Sequence, residues 1–208
     1  MLIAEQLMLL CIDRKAGEFE ASRTHADMNA LAAAAIILDL YEQRRLRYQG
    51  GHVVIETLLP TTHPQLAAAT QILAGPVNGL TVPAAIDLLV ARLNPLSTHL
   101  LESLFRRDVL HRVRESWWPW SKLHFPLRSI QARNEASAKL HHAATSSPNT
   151  LRELGLLILT DLAGMLAASL SGGAHESAAQ KLMHLPAQTM SDIGGHELLM
   201  QLQHCLTR

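Results

Sequence analysis

The chain has 208 residues, with 18 Lys and Arg balancing 18 Asp and Glu, so its formal net charge is zero with the twelve histidines neutral. Such a length favours one compact domain with a substantial core, and zero net charge excludes a global field that draws the whole molecule to nucleic acid. Only eight residues are aromatic (three Trp, two Tyr, three Phe), so the interior must be built from Leu and Ala, which favours a mainly α fold.

Residues 2–10 carry apolar side chains at helical spacing, and residues 13–17 read as the turn that ends that helix. Glu5 interrupts the apolar run and no basic segment precedes it, which argues against a secretory signal. Cys11 and Cys205 give no disulfide framework and read as thiols of a reducing compartment. A second helix spans about 27–45, and its centre LAAAAIILDL is apolar nearly all round, the mark of a central helix. LRYQGGHVVIE then reads as a β-hairpin about Gly50-Gly51. Helices follow at 65–73, from Pro83 to Leu93, and at 96–107, with AGPVNGLTVP as a loop between the first two.

The most unusual segment comes next. Residues 106–128 read RRDVLHRVRESWWPWSKLHFPLR and contain all three tryptophans, Trp117, Trp118 and Trp120. Arg106, Arg107, Arg112, Arg114, Lys122 and Arg128 stand there against only Asp108 and Glu115. We read 109–127 as a projecting hairpin whose return strand is confined to an edge by Pro119. Tryptophan beside arginine makes a surface both apolar and cationic, which suits an anionic membrane interface. It equally suits a subunit interface, where Trp and Arg dominate binding energy. Plainer readings stand beside these: burial of the rings, macrodipole compensation by Arg106 and Arg107 at a helix end, and edge protection by Arg112 and Arg114.

A polar helix is expected at 129–142, then a cap at Asn149 or Thr150 and a second strongly buried helix at 151–170, stopped by Ser171-Gly172-Gly173. Its uncharged stretches are too short to span a bilayer. Helices at 175–185 and 193–206 finish the chain. The fold expected is a single, mainly α domain with buried central helices and one or two short β-hairpins. The adjacent His141 and His142 point in different directions on a helix and make a poor metal chelate. The other histidines are scattered, and scattered histidines are usually surface residues. No His-Glu-x-x-His, Cys-x-x-Cys pair, Walker glycine loop or Gly-x-Ser-x-Gly occurs. No catalytic residue, metal or cofactor is expected.

Five stretches in order resemble the Golgi phosphoprotein 3-like family, which has bacterial members: LIAEQLMLLCIDRKAG, LAAAAIILDLYEQRRL, VVIETLLPTTHPQLAAATQIL, LLESLFRRDVLHRV and LRELGLLILTDLAGML. The resemblance implies a non-enzymatic peripheral membrane protein on the cytoplasmic face of a membrane. Eukaryotic members bind phosphatidylinositol 4-phosphate and act as adaptors for membrane proteins, and their hairpin serves self-association and membrane contact. The expected partners are therefore an anionic phospholipid surface, membrane-protein tails and further copies of the chain, and not nucleic acid. The family's phosphoinositide pocket does not carry over: Thr24, Ala33, Asn94 and Ser97 stand at its four positions, with Arg23 and Arg92 nearby as substitutes. Anionic phospholipid in general is accordingly the expected ligand class. The alternative is a soluble homo-oligomeric module whose Trp-rich hairpin is a subunit interface.

Overall fold

The structure is a computed structural model that describes residues 1–19, 27–76, 79–115, 117, 121–147, 149–185 and 192–207. Among them it has ten helices and two small antiparallel sheets. The fold is mainly α with short hairpins, as the composition implies.

Helix α1 (Ile3–Cys11) lies at the centre, with every one of its nine residues buried, including Glu5 and Gln6. The helical spacing of its apolar residues holds, and the structure covers all its faces. Its two ends are closed by buried charges from other helices. The Asp39 carboxylate accepts from the N–H groups of Ile3 (2.8 Å) and Ala4 (3.0 Å) at the N-terminus. The Arg133 guanidinium donates to the carbonyls of Leu9, Leu10 and Ile12 at the C-terminus. Negative charge at the N-terminal end and positive at the C-terminal end match the helix dipole, and both satisfy backbone groups that the helix cannot.

Helix α2 (Met28–Glu42) packs on α1, its N-cap Asp27 accepting from Asn29 N–H (2.9 Å). All ten residues from Leu31 to Leu40 are buried. It ends three residues before the expected Arg45, because Arg44 turns into the left-handed region (φ 54°). Arg44 N–H then bonds Tyr41 O (2.9 Å) and Arg45 N–H bonds Leu40 O (2.9 Å), the paired closure of a Schellman turn. Strands β1 (Leu46–Gln49) and β2 (His52–Ile55) form the expected hairpin. A third strand, β3 (Leu80–Thr81), adds to β2 with Val53 opposite Leu80. That part of AGPVNGLTVP was read as loop; a two-residue strand carries too little alternation to be seen.

Helices α3 (Pro64–Leu73), α4 (Val82–Leu93) and α5 (Leu96–Arg106) follow within a residue or two of expectation. Past the second hairpin, Ser129 caps α6 (Ile130–Thr145), which runs a turn longer than expected. Thr150, not Asn149, caps α7 (Leu151–Leu162), in a reciprocal box with Glu153. The helix read as 151–170 is in fact two. Gly164 (φ 68°) closes α7 with another Schellman turn, Met165 N–H bonding Thr160 O (3.0 Å), and α8 (Leu166–Ser169) restarts. The buried stretch of α7 is Leu154 to Thr160. Helices α9 (Gly173–Met183) and α10 (Ile193–Leu206) complete the described elements.

One continuous apolar cluster joins α1, α2, α4, α5 and α7 to the flanking helices. Cys11 is buried and Cys205 half-buried. Among the described residues, no helix is long and apolar enough to cross a membrane.

Candidate functional site

The basic and aromatic segment is a hairpin with a buried root and an exposed arm. Helix α5 ends as α2 does: Asp108 takes φ 61°, and Val109 N–H bonds Leu104 O (3.0 Å). The Asp108 carboxylate then meets the Arg128 guanidinium on the returning chain, which ties the two ends of the loop together. Leu110 faces Leu127 in an isolated bridge, and Leu110 and Phe125 are buried. Strands β4 (Val113–Arg114) and β5 (Leu123–His124) pair beyond them, Val113 opposite His124 and Arg114 opposite Leu123.

The turn after α1 clasps this root. Asp13 accepts from the N–H groups of Lys15 (2.8 Å) and Ala16, shaping a turn that delivers Gly17 at φ 68°. Gly17 O accepts from Phe125 N–H (2.8 Å), and Arg14 O accepts from Leu127 N–H (3.2 Å). A Cβ on Gly17 would stand 2.1 Å from Pro126 N, so only glycine allows so close an approach. Glu18 adds a contact to His124 at 3.3 Å. The aspartate and glycine of the opening stretch are thus parts of the hairpin's mount.

The six basic residues of the segment divide by what they touch. Arg107 is exposed along its stem but turns its head inward: its Nη1 donates to both oxygens of Glu5, at 2.8 and 3.0 Å, and Glu5 is fully buried. His63 Nε2 lies 3.1 Å from the same carboxylate, which also accepts from Leu2 N–H (3.0 Å). Burial pushes the Glu5 carboxyl up, but the bonds from His63 and Leu2 and the Arg107 charge more than reverse it, and the net shift is downward. His63 is itself largely covered, against the expectation of surface histidines. Arg112 lies 5.0 Å over the Phe105 ring and 3.3 Å from Glu102, so it is laid along α5. Arg128 is held by Asp108. Arg106, Arg114 and Lys122 are exposed. Trp117 is 86% exposed and Val113 48%. Trp118, Pro119 and Trp120 lie outside the described residues.

The positions aligned with the family's phosphoinositide pocket hold no cation. Ala33 is fully buried inside α2. The Ser97 hydroxyl and N–H both donate to Asn29 Oδ1, at 2.9 and 3.0 Å, sewing the start of α5 to the start of α2. Asn94 is exposed where α4 ends. Of the two substitutes, Arg92 is exposed in the last turn of α4, beside a shallow cleft formed with Ile72 and Leu88. Arg23, like Thr24, lies outside the described residues.

An all-round buried helix, an Ala- and Leu-rich core and a hairpin held by the turn after the first helix define a mainly α protein with one basic hairpin. Residues 3–201 match the family Golgi phosphoprotein 3 (GPP34), and the chain belongs to that family. A search of curated proteins found no match.

Proposed function

We propose that the protein is a non-catalytic peripheral membrane protein that docks on anionic phospholipid through the hairpin. The observation that carries this reading is Trp117, 86% exposed on an arm whose root is buried and clasped. An exposed indole between Arg114 and Lys122 has the chemistry of the headgroup zone, where aromatic rings anchor and cations meet lipid phosphate. Each Lys or Arg near such a surface contributes roughly 1 kcal/mol. Arg106, Arg114 and Lys122 therefore provide about 3 kcal/mol between them, which salt screens. Attraction of that size needs the tryptophans to give stable docking. On the cytoplasmic face, docking sets the helical body beside the tails of membrane proteins, which is the adaptor role that the resemblance implies.

The same exposed Val113 and Trp117 support a second reading, a homo-oligomer in which hairpins cover one another. Flotation with anionic vesicles at low and high salt, run beside light scattering of the lipid-free protein, separates the two. Membrane docking predicts salt-sensitive flotation. An interface predicts a stable oligomer that dissociates when the tryptophans are replaced.

A further inference from the structure

Helices α2, α5 and α7 end in the same turn, yet each places a different residue in the left-handed position. Gly164 adopts it without steric cost in α7. Asp108 is explained in α5 by Arg128. In α2 the residue is Arg44, at φ 54°, where glycine is the favoured choice and nothing in the turn calls for a guanidinium. Among the described residues Arg44 makes no ion pair. It lines a cleft of about 420 Å³ instead.

Two other guanidiniums, Arg47 and Arg152, and three carboxylates share that cleft. Each carboxylate is engaged. Glu42 takes Arg152 Nε at 2.7 Å. Asp192 Oδ1 accepts from the Tyr41 hydroxyl (2.8 Å) and from Gly195 N–H (2.9 Å). Burial keeps that Tyr41 hydroxyl protonated, its pKa pushed well above the usual range. Glu56 meets only Arg47, at 3.7 Å and with both side chains about half exposed, a pair that contributes little and exchanges readily. The three guanidiniums and three carboxylates balance in formal charge, but Arg44 is left without a carboxylate partner, with the weakly held Arg47 beside it.

We infer that this cleft binds the phosphate group of a small soluble phosphate ester, held by Arg44 and Arg47. Guanidinium forks match phosphate oxygens in two-point bonds. The volume exceeds a phosphate and falls in the range of small-molecule pockets, leaving room for the organic part against Leu46 and Leu151. A soluble source is favoured over a lipid headgroup by position. Arg152 of the cleft bonds Met1 O (3.1 Å), before the N-terminus of α1, whereas the hairpin root is clasped just past the C-terminus of α1. The inference stands independently of membrane docking.

The test is calorimetric titration of the full chain with inorganic pyrophosphate and with glycerol 3-phosphate, on wild type, R44G, R47A and an R114E/K122E hairpin variant. R44G keeps the fold, because glycine suits that position. We expect R44G and R47A each to weaken binding at least tenfold, the hairpin variant to bind as wild type, and R44G to float with anionic vesicles as wild type does. No binding by wild type at millimolar concentration, or equal binding by R44G, overturns the inference. Loss of vesicle flotation by R44G without any soluble binding overturns it too, by assigning the phosphate to lipid.

Discussion

Two fully buried carboxylates brace the N-terminal half of α1, and they titrate in opposite senses. Burial raises the Asp39 carboxyl from 3.8 to about 6, against the lowering effect of its bonds to Ala4 and Ile3 and of the Arg152 charge. An acid with a raised folded pKa binds more protons folded than unfolded between the two values, so its contribution to stability falls as pH rises through that window. The shift corresponds to roughly 3 kcal/mol lost between about pH 4 and pH 6. Urea unfolding at pH 4 and pH 7 should show Asp39→Asn closer in stability to wild type at pH 7; an equal gap at both pH values refutes the assignment. Glu5 behaves oppositely: its lowered pKa stabilises the fold above the ordinary 4.5, and that contribution is lost as pH falls through the folded value. Arg107→Ala leaves the buried Glu5 without its guanidinium donor and should cost about 2 kcal/mol, whereas Arg106→Ala, which takes no donor from a buried carboxylate, should stay within about 0.5 kcal/mol. Denaturant melts of the two variants check this directly. Read in the chain, Arg106 and Arg107 look alike, and Glu5 looks like an interruption in an apolar run. Their difference depends on a partner 102 positions away, which no local pattern encodes.

At the scale of elements, apolar continuity identified the central helices well. LAAAAIILDL is buried from Leu31 to Leu40, and α7 is buried from Leu154 to Thr160. The same continuity hid the break at Gly164, because LAGML stays apolar through a left-handed turn. The helical spacing of 2–10 likewise shows a helix but not that it is a centre, because burial of Glu5 and Gln6 depends on partners far along the chain. The hairpin was legible through composition, while its mount was not. The tie from Gly17 to Phe125 joins segments that carry no mutual signal in the chain. Gly17→Ala is the variant that tests the mount. It demands a positive φ of alanine and sets a Cβ against the backbone of Pro126, so we expect about 2 kcal/mol of destabilisation. Limited proteolysis should then cut within residues 109–127 before the helices are attacked. Unchanged stability and unchanged cleavage would show that the turn is not a clasp.

As a whole, the molecule is charge-neutral and mainly helical, with one local cationic and aromatic hairpin segment. Selectivity for one phosphorylated lipid ring needs several fixed donors around it, and each long side chain recruited must also be immobilised. Ala33, Asn94 and Ser97 supply no cation, and the Ser97 hydroxyl is already committed to Asn29. Vesicles matched in surface charge, with phosphatidylinositol 4-phosphate or with phosphatidylglycerol, should therefore bind the protein equally. A tenfold preference, about 1.4 kcal/mol, would show that Arg23 and Arg92 rebuild a shaped pocket.

Flotation with phosphatidylglycerol-rich vesicles most directly tests the proposed docking of the hairpin on an anionic surface. Wild type should float at low salt and be released at high salt. Replacing Trp117, Trp118 and Trp120 with Ala, or Arg106, Arg114 and Lys122 with Glu, should abolish flotation at low salt while circular dichroism stays unchanged. Wild-type protein that ignores these vesicles at low salt, or folded variants that float as well as wild type, would contradict the account.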